Sequence, residues 1–309
     1  MASIAPRCRL SINLAKKAVL STRALSRKAI SVENRKLGCV IAQRVAFNNP
    51  QIRLQSTTGQ ANAEKMTLSL LGITDTLPHD KEKYSDALTT AAGAFQDAEK
   101  IFNDPNFSSK KDWVRDEPVG EGKEGQDLKV FSKTTKEGIN LVAIESILLG
   151  NVDCVLLDTW TQTDDMKQWN SSIEHSCFVA QLTDHVDIIH TCNNDILIAN
   201  GRDYVNVRIY RKIGDGYIIA ARSVDLPEEK PYKGKVRAWV HLAAARLRPH
   251  PQDKNKTISE VLTHVDLKGN IPKMIVNQAI SRFAVYQAQQ NKKHFEMLKQ
   301  QGKLDKKAQ

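Results

Sequence analysis

From Ile173 to Leu267 the chain runs through five alternating apolar and polar stretches with no helical spacing between them: IEHSCFVAQL, DHVDIIHTC, DYVNVRIYRKIGDGYIIAARSV, VRAWVHLAAARLR and ISEVLTHVDL. Strands that follow one another without an intervening helix cannot be linked by the crossovers a parallel sheet needs, so this block folds antiparallel. The third stretch divides at Gly214-Asp215-Gly216 into a hairpin, which brings the block to about six strands.

Helical spacing brackets the block. YSDALTTAAGAFQDAEKIFNDP places Ala87, Leu88, Ala91, Ala94, Phe95, Ala98, Ile101 and Phe102 three or four apart and stops at Pro105, which predicts a long amphipathic helix. Trp113 to Glu117, Leu128 to Thr134 and Asn140 to Leu148 read as three strands. A second helix follows through Val152, Val155, Leu156, Trp160 and Met166, ending near Asn170. Pro272 then opens a helix that runs to about Lys299 and spans roughly 40 Å. The order predicts an α+β fold with one antiparallel sheet of about nine strands, a size that curls and leaves a concave face for the last helix to cross.

Charge separates the chain into parts. Of 45 Lys and Arg residues, 11 lie in the first 63 positions against one acid, Glu33, so the whole excess of +10 belongs there and the other 34 basic and 34 acidic residues cancel. This argues against a nucleic-acid-binding fold. Within NLAKKAVLSTRALSRKAI, Leu14, Ala18, Leu25 and Ala29 share one helical side while Lys16, Lys17, Arg23 and Arg27 lie largely elsewhere. Residues 1–63 are therefore expected to be a mitochondrial transit peptide, read by the import machinery, with a weak processing signal near Arg53. The alternative is a basic arm before a cytosolic protein that starts near Met66. Residues 64–79 are expected as a linker, 80–299 as the folded domain and 300–309 as a basic tail.

No run of about 18 apolar residues occurs, so any membrane contact is expected to be peripheral. Cys8, Cys39, Cys154, Cys177 and Cys192 form no CxxC pair and are expected as free thiols. Motifs of hydrolases, nucleotide binders and zinc proteases are missing. His190 and Cys192 share a strand face, but a third ligand at suitable spacing is lacking, so neither metal nor cofactor is expected.

GRDYVNVRIYR, residues 201–211, sets Tyr204, Asn206, Arg208 and Tyr210 on one face and Val205, Val207 and Ile209 on the other. The second face is apolar enough to be buried, so the first is either solvated or lines a polar-edged cavity. In the last helix Ile275, Ala279, Phe283 and Tyr286 form a stripe flanked by Val276 and Ile280. It follows a hinge-capable Gly-Asn-Ile-Pro turn.

GRDYVNVR and VDLKGNIPKMIVNQAI, with DMKQWN ahead of them, resemble the StAR-related lipid-transfer (START) domain, and most closely its steroidogenic acute regulatory branch. The resemblance covers roughly residues 80–299. It implies a helix-grip fold around a lipid tunnel, no enzymatic activity, and a cargo such as cholesterol carried to mitochondria. It also implies that Arg208 is a cavity arginine, that Asn206, Tyr204, Tyr210, Thr191 and Asp187 line the lipid site with it, and that Leu267, Gly269, Pro272, Ile275, Ala279 and Phe283 form a gate. In one respect the sequence departs from the branch: Thr191 stands where an acid should pair with Arg208. Asp187, four residues earlier on the same face, and Asp195, just beyond the strand, are the candidate substitutes. The connection before Arg202 is also shorter and lacks a proline. Two other readings stand beside a sterol carrier. One is a cytosolic carrier or sensor of a phospholipid or sphingolipid. The other is a helix-grip cyclase or dehydratase using His190, His241 or Asp187.

Overall fold

The computed structural model describes residues 66–116, 128–195 and 200–304, and the expected transit segment lies outside the described residues. A hairpin of β1 (Thr67–Leu70) and β2 (Ile73–Thr76) precedes a 3-10 turn at His79–Tyr84 and the long helix α1 (Ser85–Asn103), with α2 (Pro105–Ser109) behind it. Next come β3 (Val114–Asp116), β4 (Lys129–Thr134), β5 (Asn140–Leu149), α3 (Val152–Thr161) and α4 (Met166–Trp169). The strand block supplies β6 (Ile173–Thr183), β7 (Val186–Asn193), β8 (Arg202–Ile213), β9 (Gly216–Ser223), β10 (Val236–Arg237), β11 (Trp239–His250) and β12 (Asp253–Asp266), and α5 (Lys273–Gln300) closes the fold.

Among the described residues nine strands form one antiparallel sheet in the order β3-β4-β5-β12-β11-β9-β8-β7-β6, and β10 pairs in parallel with the first residues of β8. This is the expected helix-grip architecture. The β8–β9 hairpin turns at Gly214, whose φ of +56° suits a residue without a Cβ.

The outer face packs on α1. Val205, Val207, Ile209, Ile218, Ala220 and Leu262 are at most 1% exposed there, against the apolar side of α1 that runs from Ala87 to Phe102. On the inner face α5 packs chiefly on β5 and reaches the segment that leads into β6. Its Val276, Ile280, Ala284 and Ala288 pack on Leu128, Val130, Val142 and Ile144 of the β4–β5 edge. Farther along, Gln287 bonds Asn170 and Ser172 at 2.5 Å each, next to the start of β6. Phe295 and Leu298 end the crossing against Tyr217, Ile219 and Leu247.

Several expectations are corrected by this packing. Residues 64–79 are not a linker throughout: Leu68, Leu70 and Leu77 are buried in the outer core, and Asp75 of β2 pairs with Arg211, which is fully buried. The tail contributes Leu304, buried against α3 and the end of α5. The second helix does not run on to Asn170. It breaks at Gln162, where Asp164 turns to accept a hydrogen bond from the Phe178 amide at 3.0 Å, so docking on β6 overrides the helical period. On α5 the buried line passes through Val276 and Ile280, whereas Ile275 and Tyr286 are exposed, because the groove between β4 and β5 selects one of two adjacent apolar lines.

Candidate functional site

β8 carries two buried faces of opposite character. Its apolar face meets α1, and the alternation of side chains along a strand therefore turns Tyr204, Asn206, Arg208 and Tyr210 to the opposite, inner face. Register across the sheet then fixes the neighbours of Arg208. Asp187 lies directly opposite on β7, and on the other side Ala221, Ala243, Thr263 and Val142 continue the row across β9, β11, β12 and β5.

Arg208 is held from two sides. Its Nε donates to Asp187 Oδ1 at 2.8 Å and its Nη2 to Asp187 Oδ2 at 2.6 Å, a bidentate pair in which both residues are buried. Nη2 also donates to the Trp160 carbonyl at 3.0 Å and Nη1 to that of Thr159 at 3.4 Å. These carbonyls end α3, so the guanidinium caps the negative end of a helix. The indole of Trp160 lies 4.5 Å from the guanidinium carbon. Burial pushes the Asp187 carboxyl up, and the charge and hydrogen bonds of Arg208 oppose that shift.

Asp195 is exposed and accepts from Lys235 Nζ at 2.7 Å and the Gly201 amide at 2.6 Å, so of the two candidate acids Asp187 is the one on Arg208. Thr191 sits opposite Tyr204, two rows along the same face. Asn206 is fixed by the Ser223 hydroxyl, which donates to its Oδ1 at 2.9 Å and itself accepts from the Val240 amide. The Tyr204 hydroxyl accepts from Asn193 Nδ2 at 3.3 Å, and burial pushes its phenol well above the ordinary value. Tyr210 stands edge-on to Trp160, with ring centroids 4.7 Å apart.

The row that leads away from Arg208 consists of small side chains that stay partly accessible as far as Thr263, where Val142 beyond them is covered by α5. Ala221, Ala243, Ala245, Val261 and Thr263 stay partly accessible on the inner face, while the alternate residues Ala220, Leu242, Ala244 and Leu262 of the same strands are 0 to 6% exposed. Among the described residues the inner apolar contacts form three separate clusters, against one continuous cluster under α1. Alternation on one strand gives both faces the same backbone setting, so the difference comes from what covers them. The arrangement is an apolar recess under α5 with a neutralised arginine at one end. The shallow depressions beside Trp113 and beside Arg248 lie across the sheet, on the outer face.

The expected gate residues surround one end of α5. Leu267 packs between two of the inner clusters, Gly269 has a φ of +78°, and Pro272 caps the helix. Ala279 and Phe283 are half-buried on α5, whereas Ile275 is exposed. Reading the sequence missed Trp160, Thr159 and Ser223. The first two hold Arg208 through backbone carbonyls, which leave no trace in side-chain type, Trp160 adds its indole only because α3 ends there, and Ser223 is recognisable only from its register with Asn206.

A family model for the START domain matches residues 94–301. The chain belongs to the START family. This START chain is 42% identical over 244 residues to the "steroidogenic acute regulatory-like protein 1" of Caenorhabditis elegans, covering 78% of this chain and 92% of that protein. It is 26% identical over 159 residues to the "steroidogenic acute regulatory protein, mitochondrial" of Oncorhynchus mykiss, covering 51% of this chain and 55% of the relative. Among solved structures, human StAR-related lipid transfer protein 5 superposes with a TM-score of 0.55 at 21% identity, over 69% of this chain and 99% of that one. Human STARD10 gives 0.56 at 18%, over 67% and 80%. These superpositions establish the START fold. The family is one of lipid-binding and lipid-transfer domains, and a lipid ligand is the partner that membership assigns to the chain.

Proposed function

We propose that the protein binds one sterol in the recess between the inner sheet face and α5 and carries it to mitochondrial membranes. The observation that carries the sterol reading is the buried Arg208–Asp187 pair at the end of a row of small apolar side chains. A sterol offers a rigid apolar body and a single neutral hydroxyl. Because Asp187 already compensates Arg208, the site has no unpaired charge to offer a phosphate, and a hydroxyl fits it better than an anionic headgroup. Burial of the sterol skeleton supplies most of the affinity, at about 25 cal/mol per Å², and the polar end orients it. Leu267, Gly269, Pro272, Ala279 and Phe283 form the gate in this reading, with Tyr204, Asn206, Tyr210 and Thr191 lining the polar side. Mitochondrial delivery draws on the basic composition of residues 1–63 and on relatives whose names place them there.

Binding of fluorescent sterol by the full chain tests the ligand, and transfer between donor and acceptor vesicles tests carriage. Capture of a phospholipid with no sterol binding would overturn the sterol reading. Sterol binding without transfer would make the protein a sensor. A fusion of residues 1–63 to a fluorescent protein is expected to enter mitochondria, and a diffuse cytosolic signal would remove that part of the proposal.

A further inference from the structure

A cluster on the outer face of the β6 edge takes no part in the recess. β6 presents His175 and Cys177 there, and sheet register sets Cys177 directly opposite His190 on β7. One donor atom from each of the three lies within 4.8 Å of the other two. The sequence pairs His190 with Cys192 as neighbours on one strand face, but Cys192 is fully buried and bonds the Asn193 carbonyl, so the nearby thiol is that of Cys177.

His190 is flanked by two carboxylates. Its Nε2 meets Asp203, which is fully buried and is held in turn by Arg237. Its Nδ1 meets Glu229 Oε2 at 3.2 Å. Glu229 comes from the connection between β9 and β10, so the cluster joins three parts of the chain. His175 stacks on Tyr232 of that same connection, with ring centroids 5.1 Å apart.

We propose that His175, Cys177 and His190 bind a zinc ion, with the Glu229 carboxylate as fourth ligand. Two imidazoles, a thiolate and a carboxylate form a donor set suited to four-coordinate zinc. His190 is already oriented as a ligand, because donation from Nε2 to a buried carboxylate fixes the ring and leaves Nδ1 for the metal. Protein carboxylates orient metal-bound histidines in this way. Bond lengths of 2.0 to 2.3 Å place tetrahedral donors about 3.3 to 3.8 Å apart. Donors that stand within 4.8 Å of one another therefore close by up to about 1.5 Å, a movement within reach of the half-buried His175 and Cys177 side chains. Binding replaces the proton on the Cys177 sulfur, and a proton on His190 Nδ1 where one is present, with a bond to the metal, and those protons leave to solvent. Without metal, His190 bridges Asp203 and Glu229 by hydrogen bonds. With it, the exposed edge strand, its neighbour and the β9–β10 connection are clipped together on the face of the sheet opposite Arg208.

Metal-free full-length protein, kept reduced, is titrated with zinc chloride against a chromophoric chelator and, separately, with cobalt chloride. Saturable uptake of one equivalent is expected, with the strong visible absorption of four-coordinate cobalt and a thiolate-to-metal charge-transfer band. Cys177→Ser abolishes that band, and His175→Gln weakens zinc binding by at least about 10-fold, while both keep the circular dichroism of the parent. Absence of saturable binding, the weak spectrum of six-coordinate cobalt, or a charge-transfer band that survives Cys177→Ser would overturn the proposal.

Discussion

Asp187 of β7 and Arg208 of β8 stand directly across from each other in the sheet and meet through two hydrogen bonds, 2.8 and 2.6 Å long, at a site from which water is nearly excluded. The pair lets the inner face hold a cation without an anionic ligand, and it separates two roles that mutation can pull apart. Arg208→Met leaves Asp187 buried and unpaired and is expected to cost about 3 to 5 kcal/mol. Arg208→Met with Asp187→Leu removes both charges and is expected to regain most of that loss while still failing to orient a sterol. Urea unfolding and sterol titration of both variants check this. Full sterol affinity in the double variant would show that the pair is structural only.

The hairpin ahead of α1 contributes Leu68 and Leu70 to the outer core and Asp75 to Arg211. The family match begins at residue 94, so the matched region by itself leaves this hairpin out. Starting the chain at residue 80 strips the partner from a fully buried arginine and is expected to lower stability by about 3 kcal/mol or more relative to a start at residue 66. Equal urea midpoints for the two would refute this.

His264 is the source of an acid sensitivity. Burial first, and the neighbouring His241 second, hold its folded value below the ordinary 6.5, and its Nε2 is buried with no hydrogen-bond partner among the described residues. The unfolded chain therefore takes up a proton that the folded one refuses. Stability from this group is present above about pH 6.5 and declines as pH falls from there toward the depressed folded value. Thermal melts at stepped pH check it: His264→Gln is expected to flatten the slope below about pH 6.5. An unchanged slope would place the sensitivity elsewhere.

Gln287 ties the middle of α5 to Asn170 and Ser172, across the recess from the β4–β5 edge. If α5 must loosen to admit lipid, Gln287→Ala lowers the barrier as well as the stability, the latter by about 1 to 2 kcal/mol. Lipid exchange between vesicles is expected to speed up. An unchanged rate alongside the lost stability would mean that entry does not involve this part of the helix.

Some of this was legible in the amino-acid order and some was not. The alternating block from Ile173, its glycine hairpin and the helix after Pro272 determined an antiparallel sheet and a long covering helix, because apolar period and turn chemistry are local properties. Two apolar lines on α5 were legible, at Ile275 and at Val276, but the choice between them was not. Likewise β8 displayed two faces of different character, and nothing local stated which one looks inward. Tertiary packing decided both, since α1 covers one side of β8 and the β4–β5 groove accepts Val276 and Ile280. It also decided the partner of Arg208. Asp187 and Asp195 are similar in type and in distance along the chain, and only antiparallel register, which couples residues far apart in sequence, sets one of them across from the guanidinium and sends the other to Lys235.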